Sequence, residues 1–282
     1  MGHQYLDIVF DLIGIFNMAK IVTLIVIFLI GLKRDRILWS LFAVSLLLVV
    51  CVPVFSLFSM RQVQELAVTL SLSGAGLFLL VCTAFLGATS IWRDLEKRFA
   101  VGVLALPLSR SQFVLAKFFS LGLFLLFSLL VLGVLSALGV TLASSQYASD
   151  RPLVWANFVL AFAMLGLKYL LLLALTLVLS ALSTSFFLPV FGALGLYLAG
   201  SASHQVVEFL LQNPDKFTPS FIQFVQFLHY LLPNFSAFDY QIYAIYGLPL
   251  VWGEVAVSVL YGTVYIVCAL WLAAALFQRR EI

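Results

Sequence analysis

Arg93, Asp94, Glu96, Lys97 and Arg98 crowd one short stretch, and Pro107, Ser109, Arg110 and Gln112 follow it, all between two long apolar runs. Mixed charges, a proline and a capping sequence suit a reversible ionic grip on another protein's surface rather than covalent chemistry. Read as a helix, Trp92 to Leu106 brings Leu95, Phe99, Val103 and Leu106 onto one apolar stripe that can rest on a membrane or on neighbouring spans. Asp94 and Arg98 form a favourable four-apart pair, Arg93 and Lys97 a repulsive one. Pro107 stops the helix, and Ser109-Arg-Ser-Gln112 has capping-box form ahead of the run that begins at Phe113. An ordinary positive-inside loop would account for the basic residues. It requires neither the acids Asp94 and Glu96 nor the stripe, elbow and cap, so the segment reads as a rigid docking bracket.

Other polar residues support less. Lys168 stands near the middle of an apolar run, roughly 21 Å from either surface, beyond easy snorkelling. Leaving it in hydrocarbon would cost about 3 kcal/mol or more, so it must face the bundle interior or a wet cavity. Glu254 is a partner candidate; a gate or pathway residue and a structural polar anchor are both open readings. Gly192, Gly195 and Ala199, like Ser71, Gly74 and Ala75, have the small-residue spacing that permits close helix approach, within a bundle or at a dimer seam or lateral path. His3, His204 and His229 do not cluster, and no H-E-x-x-H or G-x-S-x-G pattern occurs. His204 and Glu208, four apart, are a lone two-residue metal candidate; no metal site is expected. Cys51, Cys82 and Cys268 sit inside apolar runs without C-x-x-C spacing and read as membrane-buried thiols.

The elements that must position these residues are transmembrane helices. Hydrophobic residues make up 64% of the chain and charged residues 10%, against about 25% charged in a soluble domain. The net charge of +3 gives no reason to expect nucleic acid. Runs at 37–60, 66–91, 113–142, 154–182, 186–203 and 250–277 read as six spans of an all-α polytopic membrane protein, in one transmembrane domain covering 1–282. Lys33, Arg34, Arg36, Arg93, Lys97, Arg98, Arg110, Lys117, Arg279 and Arg280 fall on one side, and only Arg61, Arg151 and Lys216 on the other. Both termini are therefore expected in the cytoplasm. The segment 1–36 reads as an N-terminal interfacial helix turning up into the first span, with a seventh span over 5–32 as the alternative. No cleavable leader is expected, because Asp7 and Asp11 occupy the place of a basic n-region.

The segment 204–249 is the sizeable extracytoplasmic loop. Thr218-Pro219 predicts the start of an amphipathic helix over 221–232 that lies in or dips into the outer leaflet. Ser236-Ala-Phe-Asp239 predicts a second capping box opening a short helix through Tyr246.

The bracket resembles that of the ABC-2 type permeases, membrane subunits of one class of ATP-binding-cassette transporters. The likeness rests on Arg93-Asp-Leu-Glu96-Lys97-Arg98, Pro107-Leu-Ser-Arg110 and Lys117. Leu32-Lys-Arg-Asp-Arg36, Ser180-Ala-Leu-Ser-Thr-Ser185, Leu232-Pro-Asn-Phe235 and Phe277-Gln-Arg-Arg-Glu281 are similar to further family motifs in the family's order. The nearest branch is the one often labelled copper-enzyme-maturation permeases, a label that says little about substrate. The chain departs from the family in Ile21 to Leu32, which is less polar than usual.

The resemblance implies that 92–112 is a coupling helix and elbow. Arg93, Asp94, Glu96, Lys97 and Arg98 would touch a cytoplasmic ATPase, and Pro107, Ser109 and Arg110 would pass its motion on. It implies two ATPase copies carrying ATP and Mg, a second permease copy, and a prokaryotic cytoplasmic membrane. The chain has no G-x-x-x-x-G-K-[ST] loop, so it is not expected to be an enzyme by itself or to bind a cofactor. The implied cargo is hydrophobic or amphiphilic and moves outward. An intramembrane enzyme acting on lipid or peptide and a non-transporting anchor subunit are the alternatives. A topology reporter fused at residue 100 should read cytoplasmic and one fused at 215 extracytoplasmic; the opposite pattern would reverse the orientation.

Overall fold

The computed structural model describes residues 21–56, 58, 62–96, 109–146, 153–183, 185–213 and 216–279. Their secondary structure is helical: α1 Ile21–Lys33, α2 Arg36–Ser56, α3 Val63–Glu96, α4 Arg110–Gln146, α5 Trp155–Leu182, α6 Phe187–Gln212, α7 Pro219–Leu231, a 3₁₀ turn Phe235–Phe238, α8 Gln241–Tyr246 and α9 Trp252–Gln278. Five of these helices contain stretches long and apolar enough to cross a bilayer: Leu38–Ser56, Val63–Ile91, Arg110–Ser145, Trp155–Leu182 and Trp252–Gln278. They match five of the expected spans. The remaining one, 186–203, falls on α6, which runs on through His204 and Glu208 and is not among those five.

Helix α5 is the hub. In its most apolar window 61% of residues are buried, against 28% in α2 and 22% in α9, which present their flanks outward. It packs against α3, α4, α6 and α9. Lipid tails are as apolar as leucine, so hydrophobicity alone does not hold spans together; close fit and hydrogen bonds must. Helices α3 and α5 meet closely because Gly87 lies against Thr176, where an added Cβ would sit 2.7 Å from Thr176 Cγ2. Ala84, Ala88 and Ala174 are fully buried nearby. Ser180 Oγ donates across this seam to the Ala88 carbonyl at 3.0 Å. Some buried hydroxyls fold back on their own helix, as Thr83 does to Leu79 O and Thr176 to Leu172 O. The outer faces of α2, α4 and α9 carry exposed Leu, Val, Phe and Trp, as a lipid-facing surface must.

Helix α1 enters the core more than an interfacial helix would. Leu24 and Phe28 are buried, and Phe28 meets the Phe113 ring edge-on at 5.6 Å. The physical reason is its scarcity of polar residues, which lets one face pack on α4 while Val22, Val26 and Ile30 stay exposed. The alternative span over 5–32 lies partly outside the described residues. The turn to α2 is closed by Trp39 Nε1 donating to Lys33 O at 2.8 Å.

The segment after α6 departs most from expectation. Thr218 is the N-cap residue of α7 with Pro219 in the first turn, but its hydroxyl makes no cap bond. Phe221, Phe224, Phe227 and Tyr230 face outward. The chain does not then stay at the surface: Pro233 to Tyr240 turns back into the bundle between α5, α6 and α9. Asn234, not Ser236, opens the turn, its side chain accepting from Ser236 N at 3.0 Å. The expected Ser236–Asp239 box does not form; Asp239 Oδ1 instead accepts from Gln241 N at 3.3 Å and starts α8. Helix α8 ends on Gly247, whose φ of 61° is the left-handed conformation glycine adopts without strain.

Two glycines make room for the returning segment. A Cβ on Gly200 would lie 2.4 Å from Pro233 O and 2.7 Å from the Phe235 ring, and one on Gly262 would lie 2.8 Å from the Phe238 ring. Because the obstacle at Gly200 is backbone, Gly200→Ala should lower the thermal unfolding temperature in detergent, with a cost of about 1–3 kcal/mol or more. Gly195→Ala, where nothing lies within 4 Å, is the neutral comparison. Equal behaviour of the two variants would mean that the contact at Gly200 relaxes without cost.

Candidate functional site

At the end of the bundle that carries Lys33, Arg34 and Arg36, helix α3 ends and helix α4 begins, and both exceed the length a bilayer needs. They are 34 and 37 residues long, where about 20 residues suffice to span. Arg93, Asp94 and Glu96 fall in the last turns of α3, which is unbroken from Val63 to Glu96; their side chains lie outside the described residues, as do Lys97, Arg98 and Pro107 altogether.

The chain is described again at Ser109. Here the capping box exists in both directions: Gln112 N donates to Ser109 Oγ at 3.3 Å, and Ser109 N donates to Gln112 Oε1 at 3.0 Å. Arg110 in the first turn of α4 reaches the far end of the chain. Its Nη1 donates to Gln278 O at 3.0 Å and sits 3.5 Å from Phe277 O. A guanidinium on the last carbonyls of α9 satisfies orphan acceptors and meets the negative end of the helix dipole. One turn further in, Phe113 stacks on Phe277 at 5.5 Å. Lys117, also on α4, is buried, with Nζ 3.9 Å from the centroid of Phe28. The start of α4 is thus tied to α1 and to the end of α9.

A second polar locus lies inside the bundle. Lys168 is 9% exposed and lines a cavity of about 280 Å³ between α3, α5, α6 and the returning segment. Its ammonium stands 5.1 Å from the centroid of Tyr197 on α6. The same wall carries Tyr169, Asp239, Tyr240 and Gln241. Gln241 Nε2 reaches Ser73 Oγ of α3 at 3.5 Å and closes the rim. Asn157 on α5 anchors the outgoing strand of the segment, donating through Nδ2 to Tyr243 O at 2.9 Å and Leu248 O at 2.8 Å.

Glu254 stands elsewhere. It is exposed in the first turn of α9 and off this wall; the acidic residue that shares the cavity with Lys168 is Asp239. The α6 glycines separate by role. A Cβ on Gly192 would meet Leu179 of α5 at 2.8 Å, so Gly192 serves packing within the chain, whereas Gly195 and Ala199 lie on the exposed face. His204 and His229, far apart in sequence, do come together: their ring centroids are 6.1 Å apart, and His229 Nδ1 is 3.1 Å from Ser203 Oγ. Among the described residues no group of three or more His, Cys, Asp or Glu is placed to hold a metal ion.

Sequence reasoning missed Asp239, Tyr197, Gly200 and Asn157. Gly200 was legible as one more small residue of α6, but which glycine receives a backbone depends on where Pro233 returns. If the Arg110 contact joins α4 to α9, Arg110→Gln should cost about 1.5–3 kcal/mol, the range for a charged hydrogen bond. It should also accelerate proteolysis at the C-terminal end of α9 in detergent; unchanged stability and cleavage would leave the contact idle.

No curated protein gives a significant match to the chain. A family model described as "ABC-2 family transporter protein" matches residues 18–282, nearly the whole length, including α1, both long helices, the returning segment and α9. The chain belongs to the ABC-2 family of transporters, as a multi-pass membrane permease.

Proposed function

We propose that this chain is the permease of an ATP-driven exporter of hydrophobic or amphiphilic molecules, worked by separate cytoplasmic ATPase subunits docked on residues 92–112. One observation carries the reading: an unbroken α3 runs from the bundle to Glu96, and the chain returns at a reciprocally capped Ser109. A load applied between those points meets two stiff helices rather than a slack loop. Arg110 then shares that load with the end of α9. The acids at 94 and 96 among basic neighbours suit a partner surface with both signs of charge. ATP and Mg belong to the partner, because this chain carries no phosphate-binding loop.

In this reading the end bearing Arg34, Arg36, Arg110 and Arg279 is cytoplasmic, and the returning segment closes the opposite end. Two permease copies and two ATPase copies make the working assembly. The exposed face of α6 around Gly195 and Ala199, with Phe191 and Leu198 beside them, is its seam.

The double variant Arg93→Ala with Glu96→Ala should reduce co-purification of the ATPase and the permease-dependent part of its turnover about tenfold, while membrane insertion stays normal. Undiminished complex and undiminished stimulation would sink the docking assignment.

A further inference from the structure

From the cavity around Lys168 we infer that this permease binds a zwitterionic lipid-type head group, with the anionic phosphate toward Lys168 and the ammonium toward Asp239. Lys168 is nine-tenths buried, and among the described residues no carboxylate comes within ion-pairing distance of it; its contact is the face of Tyr197. A protonated amine held in a bundle interior needs an anion or a well-ordered polar environment. It lines a space rather than a packed wall, and that space is about 280 Å³, the bulk of about nine waters. That is room for a head group, not for a whole lipid.

The opposite charge lies on the same wall but outward. Asp239 is exposed, and its Oδ1 accepts from Gln241 N at 3.3 Å. Beside it stand Tyr240, whose hydroxyl is turned to Ser258 at 3.4 Å, and Tyr197. A carboxylate next to aromatic faces is the surrounding an alkylammonium prefers. An inner cation and an outer carboxylate thus match a dipolar ligand in one orientation. A purely anionic ligand would meet Lys168 but be opposed by Asp239; a purely cationic one would meet the reverse.

The rim gives the ligand its tail. Ser73 and Leu77 of α3 border the cavity and are exposed, Leu77 at 58%, so the space adjoins an outward-facing apolar strip. An acyl chain leaving there would run along hydrocarbon-compatible surface. The site rests on the transport reading only for its meaning as a cargo site; binding itself needs no ATPase.

The test uses the full chain, purified without ATPase in a neutral maltoside detergent, and three probes. These are lysophosphatidylethanolamine, lysophosphatidylglycerol with the same acyl chain, and chain-free glycerophosphoethanolamine. Dissociation constants come from native mass spectrometry titrations. The wild-type chain should prefer the ethanolamine lysolipid, and Lys168→Gln should weaken it about tenfold. Lys168→Arg should retain most of the binding. Asp239→Asn should weaken the ethanolamine lysolipid and strengthen the glycerol lysolipid, so that the preference inverts.

Equal binding of both lysolipids by wild type overturns the assignment, as does an unchanged preference in Asp239→Asn. The Asp239 variant alters an exposed side chain, so it keeps the test decisive if Lys168→Gln does not fold. Chain-free glycerophosphoethanolamine binding as tightly as the lysolipid would make the ligand a free solute and overturn the lipid part. Loss of lysolipid preference together with intact ATPase stimulation would separate failure of this site from failure of the docking proposal.

Discussion

A backbone that leaves helical conformation among buried side chains must find its hydrogen bonds within the protein, and the segment from Pro233 to Tyr240 is built around that constraint. Asn234 N donates to Tyr261 Oη at 2.9 Å, Ser236 N to the Asn234 side chain, and Asp239 N to Ser236 O at 3.0 Å. Ser236 Oγ in turn serves Ser201 O at 2.8 Å. Gly200 and Gly262 supply the clearance, and Phe235 and Phe238 fill it, both almost fully buried. Together with α3, α5 and α6 the segment borders the cavity whose lining carries both Lys168 and Asp239.

The two ends of the molecule are held by different devices. At the basic end, charge and helix termini do the joining: the Ser109–Gln112 box, the Arg110 grip on the carbonyls at the end of α9, and Lys117 over Phe28. At the capped end the joining is steric and backbone-directed, through glycines and the two Asn157 bonds. Helix α5 connects them with fully buried leucines at 171, 172, 173 and 177 and a single interior cation near its middle. Such a hub tolerates little change in volume, because a close-packed interior answers a shift by moving whole elements rather than by yielding locally.

How far the chain could be read in advance follows the range of the interactions involved. Five of the six span positions were legible because bilayer thickness and hydropathy act over one helix at a time. The Ser109–Gln112 box was legible because all its partners lie within one turn. The 236–239 box failed for the same local logic: Asn234 and Ser236 are both competent caps, and the contact of Ser236 with Ser201 decided between them. Lys168 was rightly sent to the interior by its depth alone, but its neighbours were not legible. Glu254 was a candidate as an acid within a neighbouring apolar run, whereas Asp239 arrives only when the loop dips back. In the same way His204 and His229 are strangers in sequence and meet because α7 folds against α6.

One helix belongs to both polar loci. Helix α3 carries Arg93, Asp94 and Glu96 in its last turns, and Leu72, Ser73, Gly76 and Leu77 on the cavity wall. About 30 Å of continuous helix separates Ser73 from Arg93, with Gly87 and Ala88 locked against α5 between them. A tilt of α3 about that locked point would move its two ends in opposite directions. The wall at Gly76 faces Tyr169, an added Cβ there standing 3.5 Å from its hydroxyl, and the rim at Ser73 is closed by one long contact to Gln241. This long contact at the rim therefore sits on the arm of α3 opposite the charged end. Because α3 and α5 share the most extensive interface of the bundle, such a tilt would carry α5 with it or repack that seam, so the two polar loci are mechanically joined through one helix pair.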